Sequence, residues 1–232
     1  MPRKAEPAPP LALHLPVELM QPRPVTDLPA EDAMRGGRLY EVKLDGIRAC
    51  AARTADGAQL WSRRGRPLAE RFPEVIPALT STLRPGTVLD GELCAWSGGK
   101  LAFTGLLHTP RHRAADHVAV SYVVWDVLAV PGRDVRALPL VERKELLNKI
   151  LARARPPIEV VMSTRSRDTA LQWYDQLQPL GVEGLAAKAT ASPYRPSTPA
   201  HSTWVKLRHT STVDALLAAI TGSPSRPDAV LV

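Results

Sequence analysis

The stretch Glu41-Val42-Lys43-Leu44-Asp45-Gly46-Ile47-Arg48 constrains this chain more than any other. Side chains alternate across a strand. Tyr40, Val42 and Leu44 therefore turn together toward a core, while Glu41, Lys43 and Asp45 share the opposite face. Gly46 follows, where a tight turn with φ > 0 carries no Cβ penalty. A lysine flanked by two carboxylates at a strand end is either an ion-pair ladder on a surface or a nucleophile held in place. Residues 38–44 read as a strand and 47–53 as its hairpin partner, with a third strand at 58–62 after the turn signal Asp56-Gly57.

Before this stretch the chain is dense in proline: Pro2, Pro7, Pro9, Pro10, Pro16, Pro22, Pro24 and Pro29. Such density holds neither helix nor internal strand, so residues 1–30 read as an extended leader, loose at its start. After it, 68–83 reads as a short helix interrupted by Pro73 and Pro77, and 87–96 and 117–128 as strands. From Pro139 to Arg153, Leu140, Leu147, Ile150 and Leu151 make a helical stripe beside Glu142, Arg143, Lys144 and Lys149. A strand at 157–163 and a helix at 168–179 follow, with Asp168 as N-cap. Strands at 182–189, 202–208 and 213–221 complete the reading. Strand groups joined by hairpins and interspersed with helices imply α+β with mainly antiparallel sheets.

Composition narrows the function. Lysine and arginine exceed aspartate and glutamate by 30 − 23 = 7 over 232 residues, which favours a polyanionic partner such as nucleic acid or a nucleotide. Cys50 and Cys94 lie far apart in strand-like runs and read as reduced core thiols. No apolar run reaches the roughly 18 residues of a membrane span, and no signal-peptide core stands at the start.

Four further stretches could carry chemistry. Asp90 and Glu92 share one strand face, where two acids repel unless a cation or a pair of sugar hydroxyls lies between them. Trp125, on the face of Ser121, Val123 and Val127, is either core or a platform for a purine. Glu183 and Lys188 are five apart, so a flat strand would separate them; either a bulge brings them together or they serve different partners. Trp204, Lys206 and Arg208 share a face, and two cations so spaced make a phosphate clamp.

Taken in order, these motifs resemble the covalent nucleotidyltransferase superfamily, and within it the ATP-dependent DNA ligases. The motifs are Lys43-x-Asp45-Gly46-x-Arg48, Ser62-Arg63-x-Gly65, Asp90-Gly91-Glu92, Trp125-Asp126-x-Leu128, Glu183-Gly184-x-x-x-Lys188 and Trp204-x-Lys206-x-Arg208. Arg71-Phe72-Pro73-Glu74 and the run from Pro139 through Glu142, Arg143 and Lys144 to Leu147 resemble the bacterial members, including end-joining ligase modules. The resemblance covers roughly residues 15 to 210. Trp125 stands where such proteins commonly carry Phe, and Arg208 where they carry Lys. It implies an ATP-grasp-like domain of two mainly antiparallel β-sheets flanked by helices. The expected division is leader 1–30, adenylation domain 31–210, and 211–232 as linker and start of an OB-fold domain that is absent or only begun; Val213 to Thr221 resembles its first strand.

The resemblance also implies roles. Lys43 would attack the α-phosphorus of ATP and carry AMP before its transfer to the 5′-phosphate of nicked double-stranded DNA, for strand joining in repair or recombination. Glu92 would hold the ribose hydroxyls, Trp125 the adenine face, and Glu41 or the backbone beside it the adenine amino group. Arg48 would contact the sugar or the nick phosphate, and Arg63 the DNA 5′-phosphate. Glu183, with Asp45 and Glu92, would serve Mg2+ or Mn2+. Lys188 and Lys206 would hold the α-phosphate with Arg208 beside them. The implied setting is a cytoplasmic monomer without membrane contact, associated with the nucleoid when acting, with an OB-fold or end-joining partner in trans. The competing readings are an RNA ligase, a capping-type nucleotidyltransferase, and a non-catalytic DNA-binding module.

Overall fold

The computed structural model describes residues 11–196, 203–210 and 219–231. The first ten residues of the leader, residue 202 and residues 213–218 of the last expected strand lie outside the described residues. In chain order the strands are β1 (Arg23–Pro24), β2 (Arg38–Lys43), β3 (Ile47–Arg53), β4 (Ala58–Ser62), β5 (Val88–Ser97), β6 (Lys100–Leu101) and β7 (Ala119–Val130). They continue with β8 (Arg133–Asp134), β9 (Ile158–Val160), β10 (Ser163–Thr164), β11 (Gly184–Ala189), β12 (Trp204–Arg208), β13 (Ala219–Ser223) and β14 (Arg226–Leu231). The helices are α1 (Ile76–Thr82), α2 (Pro110–Ala115), α3 (Leu140–Ile150) and α4 (Arg167–Leu177).

Two mainly antiparallel sheets carry the α+β architecture. One runs β1-β12-β11-β2-β10; the other runs β4-β3-β5-β7-β8, with β6 beside β5 and β9 beside β7. Among the described residues, only β1 on β12 and β9 on β7 pair in parallel. The short strands β13 and β14 pair with each other.

The hairpin expected between residues 38–44 and 47–53 is not formed. β2 pairs with β10 and β11, whereas β3 pairs with β4 and β5, so the chain leaves one sheet at Lys43 and enters the other at Ile47. Gly46 makes this crossing possible by its size, not by a left-handed φ. A Cβ there would stand 2.3 Å from the Leu93 carbonyl oxygen and 2.6 Å from Glu92 Cγ.

Among the described residues, four apolar clusters set the sheets. The two smaller are that of Val42, Leu44, Cys94, Val123, Val161 and Val182 and that of Tyr40. One face of the larger sheet buries Ala49, Ala51, Leu89, Leu93 and Tyr122 against Phe72, Leu79 of α1 and Leu147 of α3. Each large side chain so buried contributes about 1.5–3 kcal/mol. The opposite face places Cys50, Ala52, Val88 and Leu128 against Leu13, Val17, Leu19 and Met20 of the leader and Trp204 of β12. Residues 11–20 of the leader are thus mortar between the sheets. The far side of the smaller sheet buries Tyr40, Leu185, Ala187 and Val205 under Ala170 of α4. Both cysteines are buried free thiols.

Two local expectations are corrected. Ser166, not Asp168, caps α4, accepting from the Thr169 N–H at 3.2 Å; Asp168 falls in the first turn, where a carboxylate faces the positive helix end. Arg143 and Lys144, placed beside the apolar stripe of α3, are themselves buried with it. Trp125 is the extra residue of a bulge, because Asp126 pairs with Asp90 and Val124 with Gly91. A bulge reverses the alternation, so Val127 joins Tyr122 and Val124 in the helical core instead of sharing the face of Trp125.

Candidate active site

The crossing from β2 to β3 opens a cleft of about 480 Å3 between the sheets. Every site residue picked out by sequence lines it: Glu41, Lys43, Asp45, Arg48, Arg63, Glu92, Trp125, Glu183, Lys188, Lys206 and Arg208. Glu41, Lys43 and Asp45 come from one wall and its end, Arg48 and Glu92 from the other. Pairing sets their order. Gly184 lies opposite Lys43 on β2 and opposite Arg208 on β12, and Ala186 opposite Lys206, which brings the three strands' polar faces together.

Lys43 donates to Glu183, and Arg208 Nε lies 2.7 Å from the other carboxylate oxygen of that glutamate. Glu183 precedes β11, and Gly184 lets the chain turn there: a Cβ on it would stand 2.1 Å from the Leu207 carbonyl oxygen. The sequence left two alternatives for Glu183 and Lys188, and the second holds. Lys188 faces the same cleft but meets Glu41 at 2.5 Å.

Glu41 is buried between two lysines, with Lys144 of α3 at 2.6 Å from its other oxygen. Burial raises the Glu41 carboxyl, and Lys144 and Lys188 together outweigh burial and hold it below the usual range. Burial pushes Lys188 down. Its ammonium sits 4.0 Å from the Trp204 ring centre and 5.3 Å from that of Trp125, which offers partial compensation.

The two acids Asp90 and Glu92 part company. Asp90 is fully buried and takes Arg48 through two bonds, Nε at 3.1 Å and Nη2 at 2.7 Å. The Tyr194 hydroxyl donates to the same carboxylate at 2.9 Å. Arg48 is thus the cation that pairs with Asp90, and it also lies 5.4 Å from the Trp125 ring centre. Burial lowers its guanidinium, but Asp90 and Tyr194 more than reverse that. Glu92 faces the cleft, and burial pushes its carboxyl up to about 8. Burial, then the Glu183 charge, raises Asp45 as well. Burial, then Arg208 and Lys43, lowers Lys206. One mouth of the cleft carries Arg63, Arg64, Arg66 and Arg71, all exposed.

Three residues of the site's frame were given no site role by sequence. Lys144 holds Glu41 and donates to the Trp125 carbonyl at 3.1 Å. Arg143 grips Asp126 by two bonds of 2.8 and 2.9 Å, both residues fully buried. Tyr194 ties Asp90 to the leader by accepting from the Met20 N–H at 2.9 Å. The signal for the first two was present: Leu140, Arg143, Lys144 and Leu147 fall at helical spacing on one stripe, so those charges had to enter the core.

The architecture is that of a DNA-ligase nucleotidyltransferase domain. The ligase domain of M. tuberculosis LigD aligns with a TM-score of 0.64, covering 82% of this chain and 59% of that one at 24% identity. A mycobacterial DNA ligase D, solved with ATP and MES, aligns at 0.62, covering 82% and 60% at 22% identity. The chain belongs to the ATP dependent DNA ligase domain family, whose profile matches residues 27–208. It is 29% identical over 221 residues to DNA ligase C2 of Mycolicibacterium smegmatis, covering 93% of this chain and 60% of that protein. It is also 29% identical over 225 residues to DNA ligase C of Mycobacterium tuberculosis, again covering 93% and 60%. The chain therefore spans about three-fifths of the length of these curated relatives. Among the described residues, no helix is long and apolar enough to cross a membrane.

Proposed function

We propose that this chain is the adenylating domain of a DNA ligase. The neutral Lys43 amine attacks the α-phosphorus of ATP. An N–P bond forms, the P–O bond to the β-phosphate breaks, pyrophosphate leaves with that electron pair, and the amine's proton passes to solvent. Such transfers depend on positioning and charge stabilisation more than on covalent chemistry from the protein. AMP then moves to the 5′-phosphate at a nick in duplex DNA, and attack by the 3′-hydroxyl joins the strand and releases AMP.

The observation that carries this reading is the seat of Lys43, in a nucleotide-sized cleft that Lys206 and Arg208 also line from β12, across the intervening strand β11. Those two cations take the triphosphate. Lys188, paired to Glu41, is left to the base end beside Trp125, while Glu92 takes the ribose and Arg48 and Arg63 the sugar and the DNA phosphate. ATP in the structure of a mycobacterial ligase D supports the choice of nucleotide. Family membership favours nicked DNA over the RNA-ligase and capping alternatives.

The acids fit a hard divalent cation. Among the described residues no three metal-binding side chains gather closely enough to form a cage. Glu183 and Asp45, with Glu92 nearby, offer the one or two carboxylates that Mg2+ uses alongside phosphate oxygens. Once bound, Mg2+ or Mn2+ supplies charge neutralisation on the phosphates. The rest of the reading is a cytoplasmic, monomeric enzyme with nicked DNA and ATP as ligands and an OB-fold or end-joining partner in trans.

Incubation with α-labelled ATP and Mg2+ tests it. Label should appear on Lys43, be absent from Lys43→Ala, and be discharged by nicked DNA. Wild-type protein that takes label from GTP alone, or discharges it only to RNA, would overturn it.

A further inference from the structure

The nucleotide reading gives Lys144 no task, yet it is nearly inaccessible to solvent at 7% exposure and reaches from α3 to two residues that line the cleft, Glu41 and Trp125. Its ammonium makes two contacts: Glu41 Oε1 at 2.6 Å and the Trp125 main-chain oxygen at 3.1 Å. Glu41 sits on one sheet and Trp125 on the other. Lys144 therefore clamps together the group at the edge of the base site and the residue at its face. With Lys188 on the second carboxylate oxygen at 2.5 Å, the plane of Glu41 is fixed from both sides.

The chemistry of that carboxylate follows. An ionised carboxylate only accepts, and Glu41 Oε1, buried and ion-paired with Lys144, has no hydrogen-bond partner of its own among the described residues. Such a carboxylate welcomes a purine that offers an amino group at its 6-position and repels one that offers a 6-oxo group. A protonated or tilted carboxyl would lose that preference. Burial alone would drive Glu41 toward protonation, and Lys144 opposes this more than Lys188 does. Removing a buried partner from an ion cluster also leaves the remaining charges uncompensated.

We propose that Lys144 is a positioning residue for base selection: by clamping Glu41 against the Trp125 segment it holds the carboxylate as an acceptor for a 6-amino purine. The proposal rests on the adenylation reading given above.

The test compares kcat/KM for lysyl-nucleotide formation with ATP and with inosine triphosphate, which carries a 6-oxo group. It uses the wild-type chain, Lys144→Met and Lys144→Arg, with Lys43→Ala as the blank. Losing a charge-assisted contact should cut the ATP-to-ITP ratio about tenfold in Lys144→Met. Lys144→Arg should restore most of it. A ratio unchanged in Lys144→Met, including an equal loss on both nucleotides, overturns the proposal and leaves Lys144 a structural residue. If Lys144→Met does not fold, Lys144→Gln, which retains a donor for the Trp125 carbonyl without the charge, carries the same comparison. Wild-type protein labelled by neither nucleotide overturns the adenylation reading, and the proposal with it; labelling with an unaltered ratio overturns the proposal alone.

Discussion

The Glu183 N–H donates to the Lys43 carbonyl at 2.8 Å, and the side chains of the same two residues also bond. The double contact means that the backbone delivers the carboxylate to the amine. No loop flexibility is needed to bring them together. Substituting the carboxylate should therefore change chemistry without changing the fold. Glu183→Ala is expected to lower Mg2+-dependent Lys43 labelling by about 10²-fold or more, the usual scale for losing a preorganised electrostatic group. Its melting temperature should stay within a few degrees of wild type, because both side chains are partly exposed. Undiminished labelling would remove Glu183 from the reaction.

Gly46 is required for close approach, since a Cβ would stand 2.3 Å from a main-chain oxygen of β5. Main chain cannot swing aside as a long side chain can. Gly46→Ala should cost about 1–3 kcal/mol, the range for overpacking a tight site, and should depress labelling of the neighbouring Lys43. Urea unfolding read by tryptophan fluorescence gives the first quantity. An Ala variant as stable as wild type would show that the crossing relaxes freely.

Asp126 and Arg143 form a fully buried, doubly bonded pair beneath the cleft. Breaking one partner leaves the other charge without compensation, which costs about 3–5 kcal/mol. Asp126→Asn should show that loss in urea unfolding. Arg143→Met combined with Asp126→Leu should recover part of it, because an apolar pair of similar volume avoids the uncompensated charge. A single substitution costing no more than a surface change would contradict the pairing.

Burial raises Glu92 to about 8 in the fold. An unfolded glutamate titrates near pH 4.3. Between roughly those values the folded state binds more protons than the unfolded state, so stability falls as pH rises through that window. Asp45, also raised, adds in the same direction. Thermal melts in EDTA should show the wild type losing stability relative to Glu92→Gln between about pH 5 and pH 8. Parallel curves for the two proteins would mean that Glu92 ionises as freely folded as unfolded.

Much of this was legible in the residue order. Alternation correctly placed Trp204, Lys206 and Arg208 on one wall, and put Tyr40, Val42 and Leu44 in the core. What the sequence hid was pairing over long separations. Nothing local says that β2 joins β11 rather than β3, because partner choice is made by tertiary packing. The same reason concealed the fate of Asp90, whose face was readable but whose partner Arg48 lay 42 positions earlier. The bulge at Trp125 was invisible too, since one unpaired residue leaves no mark on composition. Lys144 was the avoidable miss. A cation at the centre of an apolar helical stripe announces a buried acid, and Glu41 was already in view.

The crossing at Leu44, Asp45 and Gly46 makes the two walls consecutive in the chain at the point where the amine sits. Lys43 is thereby tied to both sheets through covalent backbone, as the last residue of β2 and four positions before β3. The distance between the two walls and the position of the Lys43 main chain are therefore set by the same three residues.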